Sequence, residues 1–231
     1  MYDVENFVSS VPEVDNEKIA YLIEQINKAQ RPCILAGSGI ISSGSKDLFE
    51  QVVDKLQIPV VGGSWVADNF WLDHRLCYGN SGNVGPRTGN FILQNADLII
   101  SFGNSLGFRQ TGFNQNGFAP HAKIIMIDAD ENESKKTGIK RIEKFIQCDL
   151  KDIFGKIIIY EEVKCVISES WLQYCDMLKT RFERYEAAGN IDLKERVYSA
   201  YFWKVMENMK CRMLFMRWAI ILLVPQNFSL V

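Results

Sequence analysis

Two apolar runs, Leu98–Phe102 and Ile124–Ile127, are nearly continuous rather than alternating. Unbroken runs of this length predict parallel strands covered on both faces. Cys33–Ala36, Pro59–Val61 and Phe145–Cys148 repeat the pattern in shorter form. Between them the apolar period lengthens to that of a helix. Ile19, Leu22, Ile23 and Ile26 mark one face of Asn16–Gln30, and Leu48, Val52 and Leu56 one face of Ser45–Leu56. Asp15 or Asn16 is placed to cap the first of these. A third helix starts at Thr88 or Gly89, and Asp149 precedes a fourth over Leu150–Ile159. Five or six strands alternating with helices predict an α/β fold, a doubly wound parallel sheet of about six strands.

Each predicted strand ends in glycines or charges. Gly37-Ser38-Gly39 follow the first, Gly62-Gly63 the second, Gly103 the run at Leu98, and Asp128-Ala129-Asp130 the run at Ile124. Ligands of open α/β sheets bind beyond the carboxyl ends of the strands. Gly37, Gly39, Gly79, Gly82, Gly103, Arg109 and Asp128 are therefore the candidate binding residues. The GxG at Gly37 lacks the third glycine of a dinucleotide fingerprint. Three glycines and Pro86 forbid a helix over residues 79–86, leaving a loop that lies against a ligand or simply connects. Arg109 suits a phosphate through its fork of donors, or forms a surface ion pair. Asp128 and Asp130 suit a ribose hydroxyl, or a turn or helix cap. Trp65, Phe70 and Trp71 read as core or subunit contacts before a stacking platform.

Composition narrows the function. The net charge of −2 over 231 residues gives no electrostatic footprint for nucleic acid. The six cysteines (Cys33, Cys77, Cys148, Cys165, Cys175, Cys211) are scattered without CxxC spacing, as reduced thiols in a cytoplasmic protein would be. His74 and His121, the two histidines, have no ligand-spaced partner and read as loop residues. The acidic start MYDVENFVSS is no signal peptide. Residues 168–188 form an amphipathic helix candidate and Leu193 to about Met209 another. The apolar run Met213–Val224 is too short to span a bilayer.

RPCILAGSGI, IPVVGG, NADLIISFG, RQTG and AKIIMIDAD, in this order and spacing, resemble the central domain of thiamine-diphosphate-dependent enzymes of the acetolactate synthase group. The likeness runs from about Ile19 to Phe154, and residues 168–209 are similar to the linker that follows. It implies a Rossmann-like sheet of the DHS-like NAD/FAD-binding architecture, and a division into a linker (1–15), the central domain (16–160), a helical linker (161–209) and an aberrant tail (210–231).

In complete family members, thiamine diphosphate and Mg²⁺ are held by a GDG…N motif of a C-terminal domain, and a glutamate of an N-terminal domain activates the cofactor. Neither segment is found in this sequence, so the resemblance implies a truncated or degenerate copy that does not bind that cofactor alone. The group's central domain binds FAD in a structural role, or another adenine nucleotide, or nothing. Asn80-Ser81-Gly82 stand where the synthases usually have Met-His-Gly, and the acidic pair before Arg109 is missing. The implied function is a structural, nucleotide-binding domain of an enzyme acting on 2-keto acids, partnered by complementary domains or by further copies of the chain. A stand-alone adenine-nucleotide or FAD-binding module is the other reading.

Overall fold

The computed structural model of the chain describes residues 11–63, 74–83, 85–136, 138–139, 141–163 and 167–182. All of these belong to one compact unit ending at Phe182. Trp65, Phe70 and Trp71, Cys165 and Cys211, the helix expected from Leu193 and the tail from residue 210 lie outside the described residues.

The chain opens with helix α1 (Asn16–Lys28), capped by Asp15, whose carboxylate accepts from Lys18 N at 2.7 Å. The expected end at Gln30 falls two residues earlier, at Lys28, where Ala29 turns to extended geometry. There follow β1 (Pro32–Ala36), the single turn α2 (Gly39–Ser42), α3 (Lys46–Leu56), β2 (Val60–Gly62), β3 (Cys77–Asn80), α4 (Arg87–Asn95) and β4 (Leu98–Phe102). The second half comprises the turn α5 (Phe108–Thr111), a 3₁₀ turn (Gln115–Gly117), β5 (Lys123–Asp128), the turn α6 (Glu133–Lys136), β6 (Ile142–Gln147), α7 (Leu150–Ile159) and α8 (Glu169–Arg181).

The six described strands form one parallel sheet in the order β3-β2-β1-β4-β5-β6. Successive residues of a strand face opposite sides, and here both sides are covered. Ile34, Ala36, Leu98, Ile100, Phe102, Ile125 and Ile127 face the helices α1, α3 and α7. Cys33, Leu35, Ile99, Ile124 and Met126 face α4 and α8. On the first face Phe49, Phe102 and Phe154 form a ring cluster with centroids 5.0–6.3 Å apart.

Two strands depart from the sequence reading. β3 lies where a loop was expected to begin at Gly79. It is a short edge strand paired on one side only, with a register irregularity opposite Val60 and Gly62. Gly79 at φ +78° absorbs that irregularity. β6 starts at Ile142, three residues before the expected Phe145, because Glu143 and Lys144 are exposed on the other edge and break the apolar run.

Helix α8 is seated in the second core. Trp171, Cys175 and Leu178 are buried on the sheet, and Trp171 Nε1 donates to Pro32 O at 3.0 Å. Tyr78 OH donates to Asp176 Oδ1 at 2.7 Å, and Lys179 Nζ to Cys77 O at 2.9 Å.

Candidate functional site

The strand order reverses between β1 and β4, the topological switch point at which open sheets of this order place their ligands. The two turns that meet there are Gly37-Ser38-Gly39 and Gly103-Asn104. Gly37 N donates to Phe102 O at 2.8 Å, Gly39 N to Gly103 O at 3.0 Å and Gly103 N to Ile127 O at 2.9 Å. A side chain on Gly37 would overlap the Gly103 carbonyl, and one on Gly39 would stand 2.7 Å from Gly103 Cα. Gly103 itself adopts φ +56°. These glycines thus allow two backbones to touch, and their amides are already bonded. The amides of Ser38 and Asn104, at the tips of the same turns, have no acceptor among the described residues.

The β3 loop is gripped from α4. Asn90 Oδ1 accepts from Gly82 N at 2.8 Å, and its Nδ2 donates to Gly82 O at 3.0 Å. Gly82 adopts φ +97°. This role of Asn90 escaped the sequence reading, since an asparagine in a helix carries no spacing signal. Arg109 is exposed on α5, with its guanidinium carbon 6.0 Å from the Phe108 ring centre, and its backbone carbonyl accepts from Asn83 N at 2.9 Å.

Asp128 ends β5 half-buried. Its Oδ1 accepts from Asp130 N at 3.1 Å, and Asp130 Oδ1 accepts from Asn132 N at 2.9 Å. Both aspartates therefore shape turns, whatever else they touch. Burial, as the largest cause, pushes the Asp128 carboxyl above the ordinary carboxylate value. His74 lies away from the switch point: Nδ1 accepts from Leu76 N, so the proton sits on Nε2, 3.2 Å from Asp54.

Gly37, Gly39 and Gly103 come together. Gly82 and Arg109 meet through the Asn83–Arg109 bond, while Gly79 and Asp128 belong to β3 and β5, separated in the sheet by β2, β1 and β4.

Residues 19–157 match the family described as "Thiamine pyrophosphate enzyme, central domain", a span that runs from α1 to α7 and takes in the whole sheet. The chain belongs to this family. Among its relatives, the acetolactate synthase isozyme 1 large subunit of Escherichia coli is 32% identical over 65% of the chain and 26% of that protein. The probable acetolactate synthase large subunit of Methanococcus aeolicus is 37% identical over 52% of the chain and 20% of that protein. The chain thus spans about a quarter of the length of the curated relatives it matches. A crystal structure of benzoylformate decarboxylase from Polynucleobacter necessarius shares the fold, with a TM-score of 0.55 at 20% identity, covering 68% of this chain and 29% of that one.

Membership of the central-domain family implies a thiamine cofactor in the whole enzyme. Mg²⁺ for its diphosphate needs a near-octahedral oxygen shell. Among the described residues no group of three or more His, Cys, Asp or Glu side chains is placed to hold a metal ion. These residues do not fit the ion. The donors at this edge are the Ser38 and Asn104 amides at the switch point and the exposed Arg109 side chain on α5. Among the described residues the cysteines Cys33, Cys77, Cys148 and Cys175 are buried. Burial raises the pKa of Cys33, Cys148 and Cys175, that of Cys148 to about 12. None of these three is an activated nucleophile at neutral pH. No helix among the described residues is long and apolar enough to cross a membrane.

Proposed function

We propose that this chain serves as the central, scaffolding domain of an acetolactate synthase-like, thiamine-diphosphate-dependent enzyme acting on 2-keto acids. It holds an adenine nucleotide or FAD at the carboxyl edge of its sheet, and its partners are complementary domains of that enzyme or further copies of the chain. The observation that carries this reading is the family match over the whole sheet, together with a strand order that reverses between the Gly37 and Gly103 turns. The amide tips at Ser38 and Asn104 support a phosphate-bearing ligand. Arg109 adds an exposed positive charge at the same edge. Asp128, at the end of β5, supplies an acceptor for a ribose hydroxyl once its own turn bond is shared.

Titration calorimetry of the chain with FAD and with ADP tests the ligand. Binding is expected, and Arg109→Ala should weaken it by about tenfold, the loss of one charge-assisted contact. Parent protein that binds neither compound removes the nucleotide reading. Pyruvate with thiamine diphosphate and Mg²⁺ should give neither acetolactate nor carbon dioxide above background with this chain alone. Turnover there would overturn the scaffolding role.

A further inference from the structure

Two buried polar side chains meet close to Arg109, although neither belongs to a strand. Ser81 follows β3 and is 0% exposed; Gln110 lies on α5 and is 7% exposed. Gln110 Nε2 donates to Ser81 Oγ at 2.6 Å, and Ser81 Oγ donates to Gly62 O at 3.0 Å. The hydroxyl accepts one bond and donates one, so a hydrogen-bonded path runs from α5 through the β3 loop to the end of β2. Beside it, Asn83 N donates to Arg109 O at 2.9 Å. Loops at a strand edge are otherwise the least restrained part of such a fold. Neighbouring residues on a helical turn point about 100° apart. Burying Gln110 inward therefore turns Arg109 outward, and Arg109 is exposed while Gln110 and Thr111 are buried.

We propose that Gln110 is a positioning residue. Its buried bond to Ser81 seats the α5 turn on the β3 loop and thereby sets where the Arg109 guanidinium stands at the carboxyl edge. The ligand that Arg109 meets there, a phosphate-bearing nucleotide, rests on the function proposed above; the seating of the turn does not. An isolated surface arginine would lose rotamer freedom on binding a ligand. An arginine on a turn that is already held forfeits less, because the backbone beneath it no longer moves.

The full chain carrying Gln110→Leu, Ser81→Ala, or both substitutions tests this by amide hydrogen exchange at Asn83, whose acceptor is the Arg109 carbonyl. Each single change is expected to speed that exchange by about tenfold, the worth of one net hydrogen bond. The double change should be no faster than either single, because both remove the same interaction. The double variant should melt no lower than the less stable single, because the two changes remove the same bond, while exchange at Asn83 stays fast. That split separates positioning from bulk stability. Gln110→Met provides a second apolar replacement of similar length should Gln110→Leu fail to fold.

Exchange at Asn83 that stays as slow as in the parent in Ser81→Ala and in the Gln110 variant would overturn the proposal. So would a double variant that restores slow exchange, since apolar packing would then seat the turn as well. ADP titration runs in parallel. Where the parent binds ADP, Arg109→Ala in the Gln110→Leu background should cost less than it does in the parent; an equal cost in both backgrounds would overturn the action through Arg109. A parent that does not bind ADP defeats the nucleotide reading alone, and the exchange result still decides the seating.

Discussion

Removing the Trp171 side chain is the most direct test of how the domain is bounded. The indole is 3% exposed, packs against the second core with its ring stacked on Tyr174, and donates Nε1–H to Pro32 O at the first residue of β1. Trp171→Ala deletes this packing and leaves a buried carbonyl unpaired. Loss of a buried tryptophan costs about 3–5 kcal/mol, and the orphaned acceptor about 1 kcal/mol more. For a unit of this size each kcal/mol lowers Tm by about 2–4 °C, so a fall of roughly 8–24 °C is expected. Trp171→Phe keeps most of the apolar contact and loses only the donor, which predicts a loss of about 1–2 kcal/mol. Urea unfolding followed by far-UV circular dichroism reads both variants without relying on the fluorescence of the residue removed. The family match stops at residue 157 and α8 lies beyond it. If Trp171→Ala costs under about 0.5 kcal/mol, α8 is an appendage, and residues 16–160 fold without it as the sequence pattern suggested. A large loss makes α8 part of the same cooperative unit, and a chain cut after Tyr160 should then unfold at a comparably lowered temperature.

Three further outcomes follow from the same geometry. Gly37→Ala forces a methyl group onto the Gly103 carbonyl, where only backbone can give way; a loss of about 3 kcal/mol or failure to fold is expected in denaturant titration, and a neutral result would show that the two turns are not in contact. Asp128 has a folded pKa raised above its ordinary 3.8, so the folded state binds its proton more tightly than the unfolded state does. Stability from this group is therefore greatest below 3.8 and falls as pH rises through the folded value. Asp128→Asn, which keeps the acceptor for Asp130 N, should raise Tm at neutral pH and flatten the slope above pH 3.8, and an unchanged slope would deny the shift. Peptide-resolved alkylation at pH 8 should leave Cys33, Cys148 and Cys175 unmodified until urea unfolds the protein, because burial holds all three as thiols; rapid labelling of any of them in the native state would contradict its burial.

How much of this was legible in the chain depended on burial on both faces. β1, β4 and β5 lie inside the sheet, so every residue of their runs is under selection for the apolar interior, and the runs were found within a residue or two of their observed limits. β3 and β6 are edge strands. One carries Gly79 and Asn80, the other Glu143 and Lys144, and the polar residues that protect an edge from further pairing also erase its pattern. Asp149 was recognised as a cap because a carboxylate before an apolar helix has a single local partner; its side chain accepts from Lys151 N at 2.7 Å. The bonds that shape the candidate site are of another kind. Gln110 reaches Ser81 across 29 residues and Asn90 reaches Gly82 across eight, and neither separation leaves a periodic trace.

Glycines gave the clearest local signal and the least specific one. A glycine at a strand end is required wherever something approaches the backbone more closely than a Cβ allows, but the sequence is silent on whether that neighbour is a ligand or another part of the chain. At Gly37, Gly39 and Gly103 the neighbour is backbone. Three amides that a phosphate-cradling loop would turn toward its ligand are instead bonded across the sheet. This ties the ends of β1, β4 and β5 into one rigid ridge at the switch point. Anything bound at that ridge has to be met from its tips, by Ser38 and Asn104, while Arg109 stands on a separate turn held from the β3 loop. A sheet edge closed on itself in this way resists deformation while offering few donors, which suits the scaffolding role proposed above better than a phosphate-cradling one.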